Sequence, residues 1–522
     1  MDWGQLVVNL VLDTSASWLR MFAALALSIV ISLFVGIWAA TSDKASRIIL
    51  PLVDIFQTLP ILAFFPFVIY VFVFVLPGYI GINAAVVFLI VTSMLWNIIF
   101  AVYESIKTMP KEFLDISDLY HMNGFQKLRK IYIQASMPRI VEQSVLSWSI
   151  GLFYLVTSEI FSTGTSSYSV TYGIGVALTH LATSGNFTAY LVGILIFIAF
   201  VVATRFLFFA PLERRFTYFK GQKVSIVKHR FGMPHKIRIF EELRKVRIRV
   251  YITGRKKVKK LKTVAEAQDG ELGRKKINPL YYLLAGAALI AIFLSVLYYI
   301  GALQYEIQVL QALAASFLRV WLTFVVTLIV AVPVSVYLVF MAKNSENYLL
   351  LFQIIASIPA TILLPIIVIA LQGTPAHSDV IAFVVLFLSG IWYLIFSMLA
   401  SARTLDPNTF EVKRLFNVKG FSAWKTIYIK ALIPGLITGA VTSIAAEWNA
   451  TIVAEYFTST GISGSNVLSS VGLGIGKLLD LALANGNFLL LVIALINLTI
   501  MIVLINVFVW RRLYARISKV YR

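Results

Sequence analysis

Three carboxylates lie within long apolar runs of this sequence: Glu159, Glu447 and Glu455. Ionisable residues inside a membrane-spanning segment are costly, and they usually face a bundle interior or an aqueous cavity. Glu447 follows Pro434 by 13 residues, which is about 20 Å along a helix and therefore near mid-membrane. The chemistry that such residues could support is the binding of a solute or an ion within the membrane.

Other kinds of site are not expected from the residue types. The chain has no cysteine, which excludes disulfides and thiolate metal sites, and its five histidines are scattered without ligand spacing. A phosphate-binding loop needs G-x-x-x-x-G-K-[ST] after a strand, and the nearest stretch, "GLGIGKLL", has the wrong glycine spacing. We therefore expect no metal, no cofactor and no ATP hydrolysis in this chain.

The composition places these residues in an integral membrane protein. Hydrophobic residues make up 59% of the chain and charged residues 13%, whereas soluble domains are nearer half apolar and one quarter charged. Apolar runs of 20 or more residues are long enough to cross a bilayer as helices. An all-α fold with about eleven spans is predicted near 18–40, 50–76, 83–104, 138–160, 187–210, 279–301, 313–341, 348–372, 379–402, 434–459 and 488–510.

The positive charge is concentrated between two of these spans. Residues 211–278 hold 21 Lys and Arg against six Asp and Glu, so this segment carries +15 of the net +21. The excess of cations between spans predicts a cytoplasmic location and argues against nucleic acid as the partner. With eleven spans, the N-terminus is then expected outside and the C-terminus in the cytoplasm.

The chain contains an internal duplication. "NGFQKLRKIYIQASMP" (123–138) and "KGFSAWKTIYIKALIP" (419–434) agree at seven of 16 positions without a gap, and other matched segments keep an offset of 296 to 301 residues. An even number of spans separates the two copies, which predicts parallel repeats of about five and six spans. The predicted domains are a first repeat (1–210), a basic cytoplasmic linker (211–278) and a second repeat (279–522).

The linker has its own pattern. "KIRIFEELRKVRIRVYI" partly alternates apolar and charged residues, which favours short strands. The linker could connect the two repeats and also attract anionic lipid. Alternatively, it could regulate the protein or dock a partner.

Each duplicated motif belongs to a longer loop that is predicted to face the cytoplasm. The loops open at Pro110 and Pro407, are predicted to turn at Gly124 and Gly420, and run into the next span. An amphipathic element in this place could lie on the lipid surface or present one face to a soluble partner. Two copies at the same distance from a span favour a partner with two equivalent sites.

These loops resemble the coupling loop of ABC importer permeases, in which a Glu-Ala-Ala triplet is followed by Gly and then by Pro. The resemblance implies docking to an ATPase subunit. The triplet falls on 118–120 and 414–416, where neither copy keeps Glu-Ala-Ala. The residues predicted to dock are Asp118, Tyr120, Gly124, Phe125, Arg414, Phe416, Gly420 and Phe421.

A second stretch is similar to the nitrate, sulfonate and taurine branch of these permeases. In "AAEWNATIVAEYF" Trp448 precedes Glu455 by seven, and Gly472-Leu473-Gly474 follows. The first copy keeps Glu159 and has Gly173-Ile174-Gly175. The branch implies a small anionic solute.

A translocation path is expected along the spans that carry the carboxylates and the paired prolines. Glu159 and Glu455 could instead cap or brace helices, whereas Glu447 is expected to face a cavity because Gly151 takes its place in the first copy. Arg20 and Arg319 are expected to snorkel to the interface, with attraction of an anionic solute as the alternative. Proline should bend or interrupt its span. The residues predicted on the path are Glu159, Glu447, Trp448, Glu455, Pro60 and Pro359.

The sequence therefore predicts the permease of an ATP-driven importer in a cell membrane, with both membrane halves fused in one chain. The resemblance implies two copies of a cytoplasmic ATPase, which bind ATP and Mg, and an external solute-binding protein. An ion-coupled secondary carrier, which also uses duplicated bundles, and a scaffold or export component without a solute path stay open as alternatives.

Overall fold

The computed structural model describes residues 2–76, 78–110, 112–163, 170–217, 298, 301, 303–340, 345–371, 377–402, 420–460, 472–510 and 513. Every regular element in these ranges is helical. Residues up to 219 and from 302 onwards form one compact unit, and a second unit comprises 220–301. The strands predicted for the linker and the span predicted at 279–301 lie outside the described ranges, apart from residues 298 and 301.

The described residues of the first half form ten α-helices. α1 begins at an Asp2 cap, whose carboxylate accepts a hydrogen bond from the Gly4 backbone at 3.0 Å. The helices are α1 (Trp3–Thr41), α2 (Asp43–Thr58), α3 (Phe65–Val75), α4 (Tyr79–Lys107), α5 (Glu112–Leu119), α6 (Gly124–Lys127), α7 (Ile133–Thr163), α8 (Ile174–Thr183), α9 (Phe187–Ala203) and α10 (Ala210–Thr217). A 3₁₀ turn (Ile61–Phe64) precedes α3, and π-helical turns join α6 to α7 and α9 to α10.

The described helices of the second half follow the order of their counterparts in the first half. Its helices are α11 (Leu303–Phe340), α12 (Ser345–Ala356), α13 (Ala360–Ala370), α14 (His377–Ala402), α15 (Gly420–Ala423), α16 (Ile429–Thr460), α17 (Ile475–Ala484) and α18 (Phe488–Ile505). A π-helical turn again precedes the long helix, at Trp424–Tyr428. The likeness in helix order supports the predicted duplication, which stays a prediction.

Two of the predicted spans are not continuous helices. α2 ends at Thr58, and the chain resumes as a helix only after Pro60; α12 ends at Ala356, and α13 begins after Pro359. A proline disfavours helical geometry at the residue before it and lacks a backbone donor, so each break falls where the sequence places a proline. The prediction that these prolines interrupt their spans is confirmed.

Eight described helices are long and apolar enough to cross a membrane. Three of the eleven predicted spans are not among them: the two broken at Pro60 and Pro359, and 279–301, of which the structure describes only residues 298 and 301. The chain is thus a multi-pass membrane protein. The total of eleven spans stays a prediction. So do the parallel orientation of the repeats and the side of the membrane on which each terminus lies.

An antiparallel helix pair forms the centre of each half. α4 packs along α7, with Arg139 Nη1 2.6 Å from Glu104 Oε2 at one end. α14 packs along α16, and Gly435 is so close to α14 that an added Cβ would lie 2.8 Å from Met398 Cα. Glycine allows this approach of two backbones within a membrane.

The broken spans bring the two halves together. α13 packs on α7 and α8 of the first half, and the 3₁₀ turn after Pro60 packs on α16 of the second half. Ser149 Oγ lies 3.2 Å from Ser357 Oγ across this interface. The interruption of each span therefore occurs at the contact between halves.

Candidate functional site

A buried ion pair connects two distant helices of the first half. Glu159 on α7 is fully buried, and its Oε1 lies 2.7 Å from Arg20 Nη1 on α1. The same oxygen accepts from Ser17 Oγ at 2.7 Å, and Oε2 accepts from the Gly175 backbone at 2.8 Å. A buried carboxylate is stable only when its charge and its lone pairs are satisfied in this way.

This cluster also holds the start of α8. Ser17 Oγ accepts from the Ile174 backbone at 2.9 Å, and Arg20 Nη2 donates to the Tyr172 carbonyl at 2.6 Å. A Cβ added at Gly173 would lie 2.6 Å from Glu159 Cδ, which explains the glycine at that position. The result is that α1, α7 and α8 are joined at one point.

The second half repeats this cluster with the corresponding residues. Glu455 on α16 is fully buried and pairs with Arg319 on α11. Glu455 accepts from Ser316 Oγ at 2.7 Å and from the Gly476 backbone at 2.8 Å, and Ser316 Oγ accepts from the Ile475 backbone at 2.9 Å. Each partner lies 296 to 301 residues after its counterpart in the first cluster.

The contacts correct one pairing that was made from the sequence. Gly173-Ile174-Gly175 corresponds to Gly474-Ile475-Gly476, because Gly175 and Gly476 make the same bond to the buried carboxylate. Gly472-Leu473-Gly474, which the sequence analysis compared with the first copy, begins two residues too early. The three alternating glycines of "GLGIG" fit the Gly-x-Gly pattern of the first half in two registers, and the sequence does not distinguish between them.

Each cluster contains one more carboxylate than cation, but the extra acid differs. In the first half Asp13 on α1 accepts from the Gly173 backbone at 3.2 Å, and Arg20 Nε donates to the neutral Asn83 on α4. In the second half Arg319 Nη2 lies 2.9 Å from Asp379 on α14. Ala312 stands at the position that corresponds to Asp13. The acid has thus moved from one helix to another while the charge balance has stayed the same.

These clusters change the expectation for the two arginines. Snorkelling to the interface is wrong for Arg20, which is only 6% exposed and ion-paired. The contacts of Glu159 and Glu455 support the alternative that they brace helices. The location of Glu159 and Glu455 on the translocation path stays a prediction.

Glu447 lies in a packed seam between three helices. It is fully buried on α16, and its Oε1 accepts from Thr327 Oγ1 on α11 at 3.2 Å and from Ser443 Oγ at 3.3 Å. Among the described residues, neither Glu447 Oε2 nor Trp448 Nε1 has a hydrogen-bond partner. The location on a cavity wall that was predicted for both residues stays a prediction.

The partner of Glu447 in this seam is Gly390. A Cβ added at Gly390 would lie 2.8 Å from Glu447 Cγ. In the first half the sizes are exchanged, because Met94 on α4 stands where Gly390 stands on α14, and Gly151 on α7 stands where Glu447 stands on α16. A Cβ added at Gly151 would collide with the Met94 side chain. In the first half the large side chain at this contact is Met94 on α4. In the second half it is Glu447 on α16, and it fills the space that Gly390 leaves, so Glu447 has a packing role.

The first predicted docking loop exposes aromatic side chains. Tyr120, just after α5, is 71% exposed, and Phe125 in α6 is 70% exposed. Asp118 Oδ1 lies 2.6 Å from Lys127 Nζ and connects α5 to the last residue of α6. The loop thus contains two short helices and exposed aromatic side chains, and its docking to an ATPase stays a prediction.

The turn in this loop is not where glycine predicts it. Gly124 is the first residue of α6, which is capped by Asn123 and Gln126, and the residue with a positive φ is His121, at 48°. In the second loop the predicted position holds, since Gly420 has a φ of 59°. The capping pair, which takes up two backbone donors, was the sequence signal that the first prediction missed.

Most of the second loop lies outside the described residues. This applies to Arg414 and Phe416, and to the side chain of Phe421. The sequence shows that Ala423 stands where Lys127 stands in the first loop. In the second loop Arg414 thus stands in place of Asp118, and Ala423 stands in place of Lys127, the cation with which Asp118 forms its ion pair.

Part of the chain resembles known proteins. Residues 13–217 match the family described as binding-protein-dependent transport system inner membrane component. The chain is 29% identical over 184 residues to the glycine betaine/proline betaine transport system permease protein ProW of Escherichia coli K12, over 35% of this chain and 48% of that protein. It is 27% identical over 154 residues to the glycine betaine transport system permease protein OpuAB of Bacillus subtilis, over 27% of this chain and 51% of that protein.

The chain thus spans about half the length of the curated relatives that it matches. Their names do not support the predicted nitrate, sulfonate and taurine branch, nor an anionic solute, because betaine is a zwitterion. These relatives are permease components of transport systems, not enzymes. Over residues 13–217, the chain is therefore similar to inner membrane components of binding-protein-dependent transport systems.

Proposed function

We propose that this chain is the permease of an ATP-driven importer, with both membrane halves in one polypeptide, and that it moves a small betaine-type zwitterion. The observation that carries the proposal is the pair of matching ion clusters. The first, Arg20 with Glu159, lies within the region that matches the permease family, and the second, Arg319 with Glu455, has the same partners at nearly constant offset. This repetition supports two permease units in one chain.

The mechanism follows from the two loops. Each loop would dock one copy of a cytoplasmic ATPase, and the exposed Tyr120 and Phe125 support this for the first loop. ATP binding would close the ATPase pair and draw the loops together. That movement would turn the path between the halves from inward-facing to outward-facing, where an external binding protein delivers the solute. ATP and Mg would be bound by the partner subunits.

The solute is proposed from the relatives, which are betaine permeases by name. The experiment is uptake of radiolabelled glycine betaine by proteoliposomes that contain the chain with its ATPase and binding protein. ATP-dependent uptake that vanadate stops and a protonophore leaves unchanged is expected. Uptake that needs no ATP and that a protonophore abolishes would instead show the alternative, an ion-coupled carrier. The buried carboxylate of Glu447 is the observation that supports this alternative.

A further inference from the structure

A small cavity lies at the contact between the two halves. Val156 and Ile160 of α7 and Tyr190 of α9 line its first-half side, and Thr361 and Ile362 of α13 line the other. Its volume is about 20 Å³, enough for one water molecule. It adjoins the segment that follows the break at Pro359, the part of the broken span that packs across the interface.

Three hydroxyl side chains line this cavity, and that of Thr179 donates to the Gly175 carbonyl at 2.8 Å. Tyr190 donates to the Ile362 carbonyl. Thr361 is 1% exposed, and its Oγ1 has no hydrogen-bond partner among the described residues. A buried hydroxyl without a partner costs stability, so its presence calls for an explanation. A partner that arrives in another state of the transporter provides one.

On the corresponding contact at the other side of the molecule, leucines replace two of these residues. Leu491 stands at the position that corresponds to Tyr190, and Leu62 at the position that corresponds to Thr361. Both leucines are buried. The two interfaces are alike in backbone order but differ in polarity at these positions.

We propose that this cavity is the closed form of a binding point for the transported zwitterion, on the side of Tyr190 and Thr361 only. The Thr361 hydroxyl donates to the carboxylate of the solute, and the face of the Tyr190 ring receives its quaternary ammonium group. None of the described residues that line the cavity is charged, which suits a solute of zero net charge. The inference rests on the proposed function and adds the place and the sidedness of solute contact.

Cysteine labelling tests the site without reference to transport. Because the chain has no cysteine, Thr361→Cys and Leu62→Cys each create a single thiol. The probe is a methanethiosulfonate with a trimethylammonium head, added to membranes that contain the complete complex, either without nucleotide or with ATP and vanadate. We expect Thr361→Cys to react in one nucleotide state, Leu62→Cys to stay slow in both, and glycine betaine to slow the reaction at Thr361→Cys.

Uptake gives the second readout. Thr361→Val removes the hydroxyl and keeps the volume, and we expect the KM for glycine betaine to rise about fivefold, the effect of one lost hydrogen bond. Leu62→Val is the matched control and should leave the KM unchanged. A merely structural role of Thr361 would lower the amount of folded complex and leave the KM as it is.

Each opposite result overturns a distinct claim. If Thr361→Cys is unreactive in both states at normal membrane level, or if Leu62→Cys reacts equally, the one-sided site is wrong. If the wild-type complex transports betaine but betaine does not slow labelling, the site is also wrong. If the wild-type complex takes up no betaine while Thr361→Cys becomes accessible, the proposed solute fails and not the position of the path.

Discussion

Arg20 Nη1 lies 2.7 Å from Glu159 Oε1 in a buried ion pair between two helices. The two residues are 139 positions apart in the sequence. The pair satisfies a charge that the surrounding apolar helices could not accommodate. Its counterpart in the second half joins the corresponding helices. Both pairs hold the first residues of a short helix, α8 or α17, against the long helix that carries the glutamate.

Removal of one partner should destabilise the protein strongly. Arg20→Leu leaves the buried Glu159 carboxylate without its cation, and we expect a loss of about 3–5 kcal/mol. The double variant Arg20→Leu/Glu159→Leu removes both charges and should recover part of that loss. Thermal unfolding of the purified chain in detergent measures both effects.

A surface ion pair provides the control for this experiment. Lys107 Nζ lies 3.5 Å from Asp43 Oδ1 at exposed positions. Lys107→Ala should change the free energy of unfolding by less than about 1 kcal/mol. Equal losses from Arg20→Leu and Lys107→Ala would contradict the role assigned to the buried pair.

The exchange of sizes between the halves predicts a rescue. Gly390→Met alone should destabilise the protein, since its side chain collides with Glu447. The double variant Gly390→Met/Glu447→Gly copies the Met94 and Gly151 arrangement of the first half. Its melting temperature should lie above that of Gly390→Met. A double variant no more stable than Gly390→Met would show that the two seams are not equivalent.

The role of Glu447 itself can be separated from its size. Gln has nearly the same shape as Glu but no charge, so Glu447→Gln should preserve the packing against Gly390 and leave uptake of glycine betaine near the wild-type rate. Uptake is measured per amount of folded complex in proteoliposomes. A loss of transport at full protein level would favour the cavity location that the sequence predicts, and Trp448→Ala would then be expected to show the same loss.

The docking loops make a prediction about the partner. Phe125→Asp together with Phe421→Asp places charge on a surface proposed to bind the ATPase, so we expect loss of the ATPase on co-purification while the chain still inserts. Phe187→Asp, at an exposed position on the predicted outer side, is the control and should retain it. ATPase recovered at wild-type yield with the double variant would argue against docking through these residues.

Local features of the structure were predictable from the sequence because they depend on neighbouring residues. The breaks at Pro60 and Pro359 follow from the chemistry of one residue type, and the long helices follow from apolar runs of sufficient length. The turn at His121 was missed although its signal, the capping pair Asn123 and Gln126, is equally local.

The sequence by itself determined that this chain is a helical membrane protein, where its broken spans lie, and that its halves share an order of motifs. Only the tertiary structure decided that Arg20 faces Glu159 and not the lipid interface, and that Glu447 lies against Gly390. The reason is that periodicity shows which residues are apolar or charged along one helix. The rotation and approach of two helices, which decide what each side chain touches, depend on packing between segments more than a hundred residues apart.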